Sequence, residues 1–221
     1  MPQWSYVMKM VFLGPPGAGK GTLSDMASAR LNLPHISTGD LFRAAVKHET
    51  ELGKKVKDII ALGQLVPDDL TIALVRERLN HGDASKGWIL DGFPRTTAQA
   101  EALQEVDPVD LVVDFEVQDS LILFRLTGRR LCPQCGKIYH LVTMPPAKEG
   151  LCDHCGGSLS SRPDDREEAI RVRLLAYREQ TEPLIAWYGS RDLLVTIDGS
   201  GAPDLVYSRF ESAVIRYRQD R

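Results

Sequence analysis

A chain of 221 residues that is 43% hydrophobic and 26% charged can bury a sizeable core as one soluble domain or one domain with inserts. Its net charge of -3 gives no global attraction to nucleic acid or to an anionic membrane. The apolar run in MPQWSYVMKMVFLG covers about seven residues, against roughly 18 for a membrane-crossing helix, and no A-x-A-like cleavage site follows, so a core strand and a cytoplasmic protein are expected.

In chain order, residues 6–13 are apolar and β-prone and end at a glycine-rich loop, after which residues 20–31 carry helical periodicity. Residues 37–66 are charged and hold helical stretches but no convincing strand. A helix is predicted over 68–80, then a short strand at 88–90 ending at Asp91, and a helix over 96–104. A strand at 111–113 ends at Asp114 and is followed by a helix over 119–131. Residues 128–165 are rich in Gly and Pro and contain every cysteine. A long helix from 165 to about 188, a strand at 193–197 and a helix from 203 to about 217 complete the chain. Strands alternating with helices predict an α/β fold, a parallel sheet covered on both faces. The two segments that break the alternation are expected to project as inserts from the ligand-binding end of the sheet.

FLGPPGAGKGT, residues 12–22, nearly spells a phosphate-binding loop, G-x-x-x-x-G-K-[ST]. Gly14, Gly19 and Lys20 fit, but Gly21 stands where a hydroxyl would hold magnesium, and Thr22 comes one residue late. Glycines at 14, 17, 19 and 21 leave backbone N–H groups unobstructed at the start of a helix, whose dipole favours anions, and Lys20 adds a point charge. Asp91, at the C-terminal end of a core strand beside this loop, is a candidate magnesium partner. Magnesium dehydrates reluctantly, so Asp91 can act through water and no hydroxyl at position 21 is required. Arg43, Arg95, Arg129, Arg162 and Arg173 stand at the edges of the inserts and on the long helix, where planar guanidiniums suit two polyphosphates. A phosphate monoester is mostly dianionic at neutral pH, so the lack of an evident catalytic base is what phosphoryl transfer to it would require.

Cys132, Cys135, Cys152 and Cys155 form C-x2-C, a 16-residue spacer and C-x2-C, with Gly136, Gly156 and Gly157 placed for tight knuckle turns. Four thiolates suit structural, tetrahedral zinc; reduced free thiols or iron are the alternatives. His140 and His154 lie nearby, but four cysteines complete the shell, and both read as surface or packing residues.

GPPGAGKGT (14–22), STGDLFR (37–43), DGFPRT (91–96), GRR (128–130) and RPDDREEAIRVRL (162–174) together resemble the adenylate kinase family of nucleoside monophosphate kinases, in its long-lid, zinc-bearing bacterial form. The resemblance covers nearly the whole chain. It implies a three-layer P-loop fold with a central five-stranded parallel sheet. The core would comprise 1–36, 67–127 and 166–221, with a helical AMP-binding insert at 37–66 and a zinc-binding lid at 128–165. It further implies magnesium-dependent, reversible transfer of the terminal phosphoryl group of ATP to AMP, giving two ADP, with lid closure excluding water.

By the same resemblance, Gly17, Ala18, Gly19, Lys20, Gly21 and Thr22 would hold the donor phosphates, and Arg129, Ile138, Tyr139 and Gly201 the rest of ATP. Thr38, Arg43, Gln64, Leu65, Val66, Gly92, Phe93, Pro94, Arg95 and Gln99 would form the AMP site, Gln99 reading the adenine edge. Lys20, Asp91, Arg95, Arg129, Arg162 and Arg173 would surround the moving phosphoryl group, the last two arginines also touching AMP. The departures are small: Leu41-Phe42 for the commoner Met-Leu, Leu23 for Gln, and a glycine at 201 where some relatives have lysine. Nucleotides are the expected partners, with no nucleic acid or membrane, and a monomer is expected. A UMP/CMP kinase would share the loop and DGFPR, but Thr38, Gln99 and the long lid favour AMP. A zinc-ribbon nucleic-acid-binding protein is the remote alternative; within 128–165 its basic residues are nearly matched by acidic ones, a poor balance for phosphate-backbone binding.

Overall fold

The computed structural model describes residues 8–219; Tyr6 and Val7, assigned from sequence to the first strand, lie outside them. β1 (Met8–Leu13) turns Met10 and Phe12 to one face and Val11 and Leu13 to the other, the period-two pattern of a strand buried on both sides. The glycine loop leads into α1 (Lys20–Leu31), and a three-residue strand, β2 (His35–Ser37), follows. Next come α2 (Thr38–Lys47) and α3 (Glu51–Ala61), whose first turns are capped by the Ser37 and Thr50 hydroxyls accepting from Asp40 and Gly53 N–H. These helices gather a small core of their own around Phe42, Val56 and Val66. The chain returns through α4 (Asp68–Leu79), β3 (Gly87–Asp91), α5 (Thr97–Val106), β4 (Leu111–Glu116) and α6 (Asp119–Thr127). An antiparallel pair, β5 (Arg129–Leu131) and β6 (Ile138–His140), belongs to the cysteine-bearing segment. α7 (Glu167–Ala176), α8 (Pro183–Gly189), β7 (Leu194–Asp198) and α9 (Pro203–Gln219) finish the described chain.

The central sheet has the order β2-β3-β1-β4-β7 with every pairing parallel, so the five-stranded α/β fold expected from sequence is the one found. One face is covered by α1 and α9, with Phe12, Leu23, Tyr207 and Phe210 packed together; the other buries Trp88, Leu90, Leu103, Leu184 and Tyr188. The register sets Phe12 level with Asp91 and Leu13 level with Asp114. Two carboxylates therefore flank the strand that delivers the glycine loop.

Three boundaries differ from the sequence reading. β2 was not expected: only its central Ile36 is fully buried, and pairing to β3 rather than local pattern makes it a strand. The helix predicted to 131 stops at Thr127, because Gly128 must pass the His140 ring; a Cβ there would stand 2.3 Å from Nε2. The long helix after 165 is interrupted by a π-turn, Tyr177–Thr181, before Pro183, which lacks an N–H and starts α8. The turn is put to use: Thr181 donates its hydroxyl to the Arg95 carbonyl at 2.9 Å.

Candidate active site

A cleft of about 550 Å³ opens at the C-terminal ends of β1 and β3. Residues 17–22 form its floor. Gly14 leaves β1 with φ +132°, and any Cβ there would lie 2.9 Å from the Phe115 carbonyl, so the loop can pass β4 only as glycine. Gly19, at φ +99°, occupies the cap position of α1 without a side-chain cap, and the first turn holds no acid. The leading N–H groups of α1 are thus left open to an anion. Lys20 donates to the carbonyls of Gly14 (2.7 Å) and Pro15 (2.9 Å), two of its three hydrogens. Burial lowers its pKa to about 8, against the opposing pull of Asp91.

Gly21 explains its own mismatch. A Cβ at this position would meet Asp91 Oδ2 at 3.6 Å, so the place of the missing hydroxyl faces the Asp91 carboxylate directly. Asp91 is largely withdrawn from solvent, which favours protonation, but His35, Lys20 and Arg95 reverse this and hold it below the usual carboxylate range. An ionised oxygen ligand facing the phosphate loop fits magnesium. His35 lies behind it, with Nδ1 donating to Asp25 Oδ1 at 2.8 Å and Nε2 3.8 Å from Asp91 Oδ2.

Burial alone would push the His35 imidazole down, yet the two carboxylates raise its pKa from 6.5 to about 9. A folded-state pKa above the unfolded one adds stability that is complete below pH 6.5 and fades as pH rises toward 9. Lys20, lowered to about 8, contributes with the opposite sign and only above that pH. Asp114, raised to about 6 by burial and Glu116, contributes with the same sign as His35 but only below pH 6. Between pH 6.5 and 8 His35 governs among these three. The magnesium-free protein should lose several degrees of melting temperature across this window relative to His35→Gln. Parallel melting curves for the two proteins would contradict this.

Among the described residues, seven cations line the cleft, Lys20, Arg43, Arg95, Arg125, Arg129, Arg162 and Arg173, against two acids, Asp40 and Asp91. The cost of assembling them is visible in their acidity. Burial first, then mutual repulsion, lowers Arg95 to about 10, with Arg173 the strongest opponent, and Arg162 to about 10, opposed by Arg129; Arg173 is lowered too. A cavity with this excess of positive charge is built for polyanions. Two buried aspartates hold the set in place. Asp165 accepts from Arg129 Nε at 2.8 Å, and Asp164 accepts from Arg173 at 2.9 Å. Residues 128–165 also reach residues 37–66 across the cleft: Lys47 Nζ donates to the Pro133 carbonyl at 3.0 Å, and Arg162 stands 3.9 Å from Asp40.

Of the residues singled out from sequence, the structure brings to the cleft residues 17–22, Arg43, Leu65, Asp91, Gly92, Pro94, Arg95, Arg129, Ile138, Tyr139, Arg162, Arg173 and Gly201. Thr38, Gln64, Val66, Phe93 and Gln99 lie outside its wall. Thr38 gives its hydroxyl to the Gly92 carbonyl, Val66 and Phe93 are buried in apolar clusters, Gln64 is exposed, and Gln99 is buried and hydrogen-bonded on both ends. Arg125 was missed from sequence. It donates to the carbonyls of Ala18 (3.1 Å) and Gly199 (2.9 Å), tying the phosphate loop to the β7–α9 turn. Phe124 and His140, whose rings lie 4.8 Å apart, line the same end of the cleft. His140 is thus a cleft residue, pinned by Nε2 donating to the Phe124 carbonyl and Nδ1 accepting from Val142 and Thr143 N–H.

The cysteines meet as the spacing required. Cys132 and Cys155 sulfurs are 3.4 Å apart, Cys135 and Cys152 3.5 Å, and all four lie within 4.8 Å of one another. A tetrahedral zinc with Zn–S bonds of about 2.3 Å needs sulfur separations of about 3.8 Å, so this cluster fits the ion. The two knuckles are alike: Gly136 N–H donates to the Cys132 carbonyl and Gly156 N–H to the Cys152 carbonyl, each glycine at positive φ. His154 is exposed and outside the group. A closed four-thiolate shell leaves no open position for substrate, which makes the ion structural.

A parallel sheet with a phosphate loop at the end of its central strand, an arginine-walled cleft and a zinc knuckle beside it define a P-loop phosphotransferase acting on two polyanions. The family model described as adenylate kinase matches residues 12–193. An adenylate kinase of Treponema denticola is 55% identical over 204 residues, 92% of this chain and 98% of its own length. One from Thermosipho africanus is 52% identical over 198 residues, covering 87% and 92%, and one from Clostridium novyi 47% over 212, covering 94% and 98%. The chain belongs to the adenylate kinase family.

Proposed function

We infer that the cleft carries out the reaction of this family, the reversible transfer of the terminal phosphoryl group of ATP to AMP to give two ADP. The observation that carries this reading is the meeting of an uncapped phosphate loop and an arginine cluster in one cleft with seven cations and two acids. The donor phosphates lie on the open N–H groups of residues 17–22, and the donor base between Arg125 and the Phe124–His140 wall, with Arg129, Ile138, Tyr139 and Gly201 around it. AMP binds on the side of Arg43, Leu65, Gly92 and Arg95, and Gln99 reads its base from beneath. An acceptor phosphate oxygen forms the new bond to the terminal phosphorus as the bond to the departing ADP oxygen breaks, and no proton need move. Lys20, Arg95, Arg162 and Arg173 neutralise the charge spread over the transferring group. Magnesium, when bound with ATP, neutralises and orients its phosphates, and Asp91 is the carboxylate placed to hold it through water.

The core, AMP-binding and lid segments are proposed with the boundaries expected from sequence, and a cytoplasmic monomer without nucleic-acid or membrane partners is proposed with them. Among the described residues no helix is long and apolar enough to cross a membrane. An assay of ATP, magnesium and each of AMP, UMP, CMP and GMP should show ADP formation fastest with AMP. Preference for a pyrimidine would replace the acceptor, absence of turnover would remove the activity, and tight salt-dependent oligonucleotide binding would overturn the partner reading.

A further inference from the structure

The amide of Gln99 is held in one orientation by partners that leave no choice. Its Oε1 accepts from the Arg95 backbone N–H at 2.8 Å, and its Nε2 donates to Asp68 Oδ1 at 2.7 Å. A backbone N–H can only donate and an ionised carboxylate only accept, so reversing the amide would set donor against donor and acceptor against acceptor. Asp68 is itself fixed, its other oxygen accepting from the Thr96 hydroxyl at 2.8 Å, while Thr96 also caps α5 by accepting from Gln99 N–H. The side chain of Gln99 is 1% exposed, so the lock sits where unpaired polar atoms are costly. One donor hydrogen and one acceptor lone pair of the amide remain for a ligand.

We propose that Asp68 is the specificity-setting positioning residue of the acceptor site, selecting 6-amino over 6-oxo purines by fixing which way the Gln99 amide faces. The inference rests on the reading of Gln99 as the acceptor-base contact. A 6-aminopurine presents an acceptor at N1 beside a donor at its amino group, matching an amide with its orientation fixed. A 6-oxopurine presents the reverse pattern, N1–H beside a carbonyl, and would need the amide turned over. Asp68 resists that turn from one side, as the Arg95 N–H does from the other. Thr181 secures the backbone of Arg95 by donating to its carbonyl.

The test compares kcat/KM for AMP and for inosine monophosphate, with ATP as donor, in the unaltered chain, Asp68→Asn and Gln99→Leu. An asparagine can donate as well as accept, so Asp68→Asn removes one of the two constraints on the amide while the Arg95 N–H keeps the other. The AMP-to-inosine-monophosphate ratio should narrow severalfold, with the inosine value rising and the KM for ATP unchanged. A role limited to stability would lower both acceptors together and leave the ratio unmoved, which would overturn the proposal. If Asp68→Asn does not fold, Asp68→Ala, which removes the acceptor facing Nε2, gives the same readout. Loss of discrimination in Gln99→Leu alone would leave Gln99 as the reader and remove Asp68 from the mechanism. Full discrimination in Gln99→Leu would defeat the reading of Gln99 itself and the proposal with it.

Discussion

Arg95→Ala is expected to lower kcat by about 10³-fold or more while leaving the melting temperature unchanged or slightly raised. The two halves of this expectation have one cause. Arg95 is enclosed beside Arg173 and Arg43, and its pKa of about 10 shows that its charge is held at a cost, set first by burial and then by Arg173. In the substrate-free protein that cost is only partly offset, by Asp91 and Asp164. Phosphates repay it, most fully when charge spreads across the transferring group. Truncation forfeits the donation from Nε to the Gly92 carbonyl at 2.7 Å, but that carbonyl still accepts from Thr38 at 2.8 Å and is not orphaned. Arg95→Lys keeps a charge but loses the planar fork, so it should recover only a small part of the rate. Turnover within tenfold of the unaltered chain would remove Arg95 from the reaction, and a melting temperature lowered by ten degrees or more would make its role structural.

What could be read without coordinates was whatever depends on local backbone demands or on side chains that point to one chemistry. The glycines at 14 and 19 are dictated by positive φ within the loop itself, and the cysteine spacing by the bite of a single ion. Asp91 could be placed because a strand ending in an acid beside a phosphate loop has few other uses. β2 was lost because three residues with one buried centre carry no periodic signal. Arg125 was lost because an arginine in a helix reads as a solvated face; its one clue is that it interrupts an otherwise apolar run at 121–126. Asp164 was given no role and Asp165 only the start of a helix, and the fold alone reveals that they sit buried against Arg173 and Arg129. Asp68 looked like any acid in a first helical turn, where the dipole alone would explain it. In each case the missing information was a partner distant in sequence.

Replacing Cys132 and Cys135 together by serine should abolish zinc binding and lower the melting temperature by about 10 °C. The segment that carries the cysteines has little else to hold it. Its regular structure is two three-residue strands and a few single bridges, and its buried cluster is Cys132, Tyr139 and Cys152 with Leu159 packed against them. Two of those members are metal ligands, so the ion and the core of the segment are the same object. The Arg129–Asp165 pair that closes its base and the Lys47 contact to the Pro133 carbonyl cannot replace a cross-link at its centre. Lys20, Arg95 and Arg173 lie on other elements, so protein that remains folded well below the new melting point should keep a near-normal chemical step. Metal analysis should find about one zinc per unaltered chain and none in the variant. An unchanged melting curve after loss of the metal would show that the segment holds itself, and would end the structural role assigned to the four thiolates.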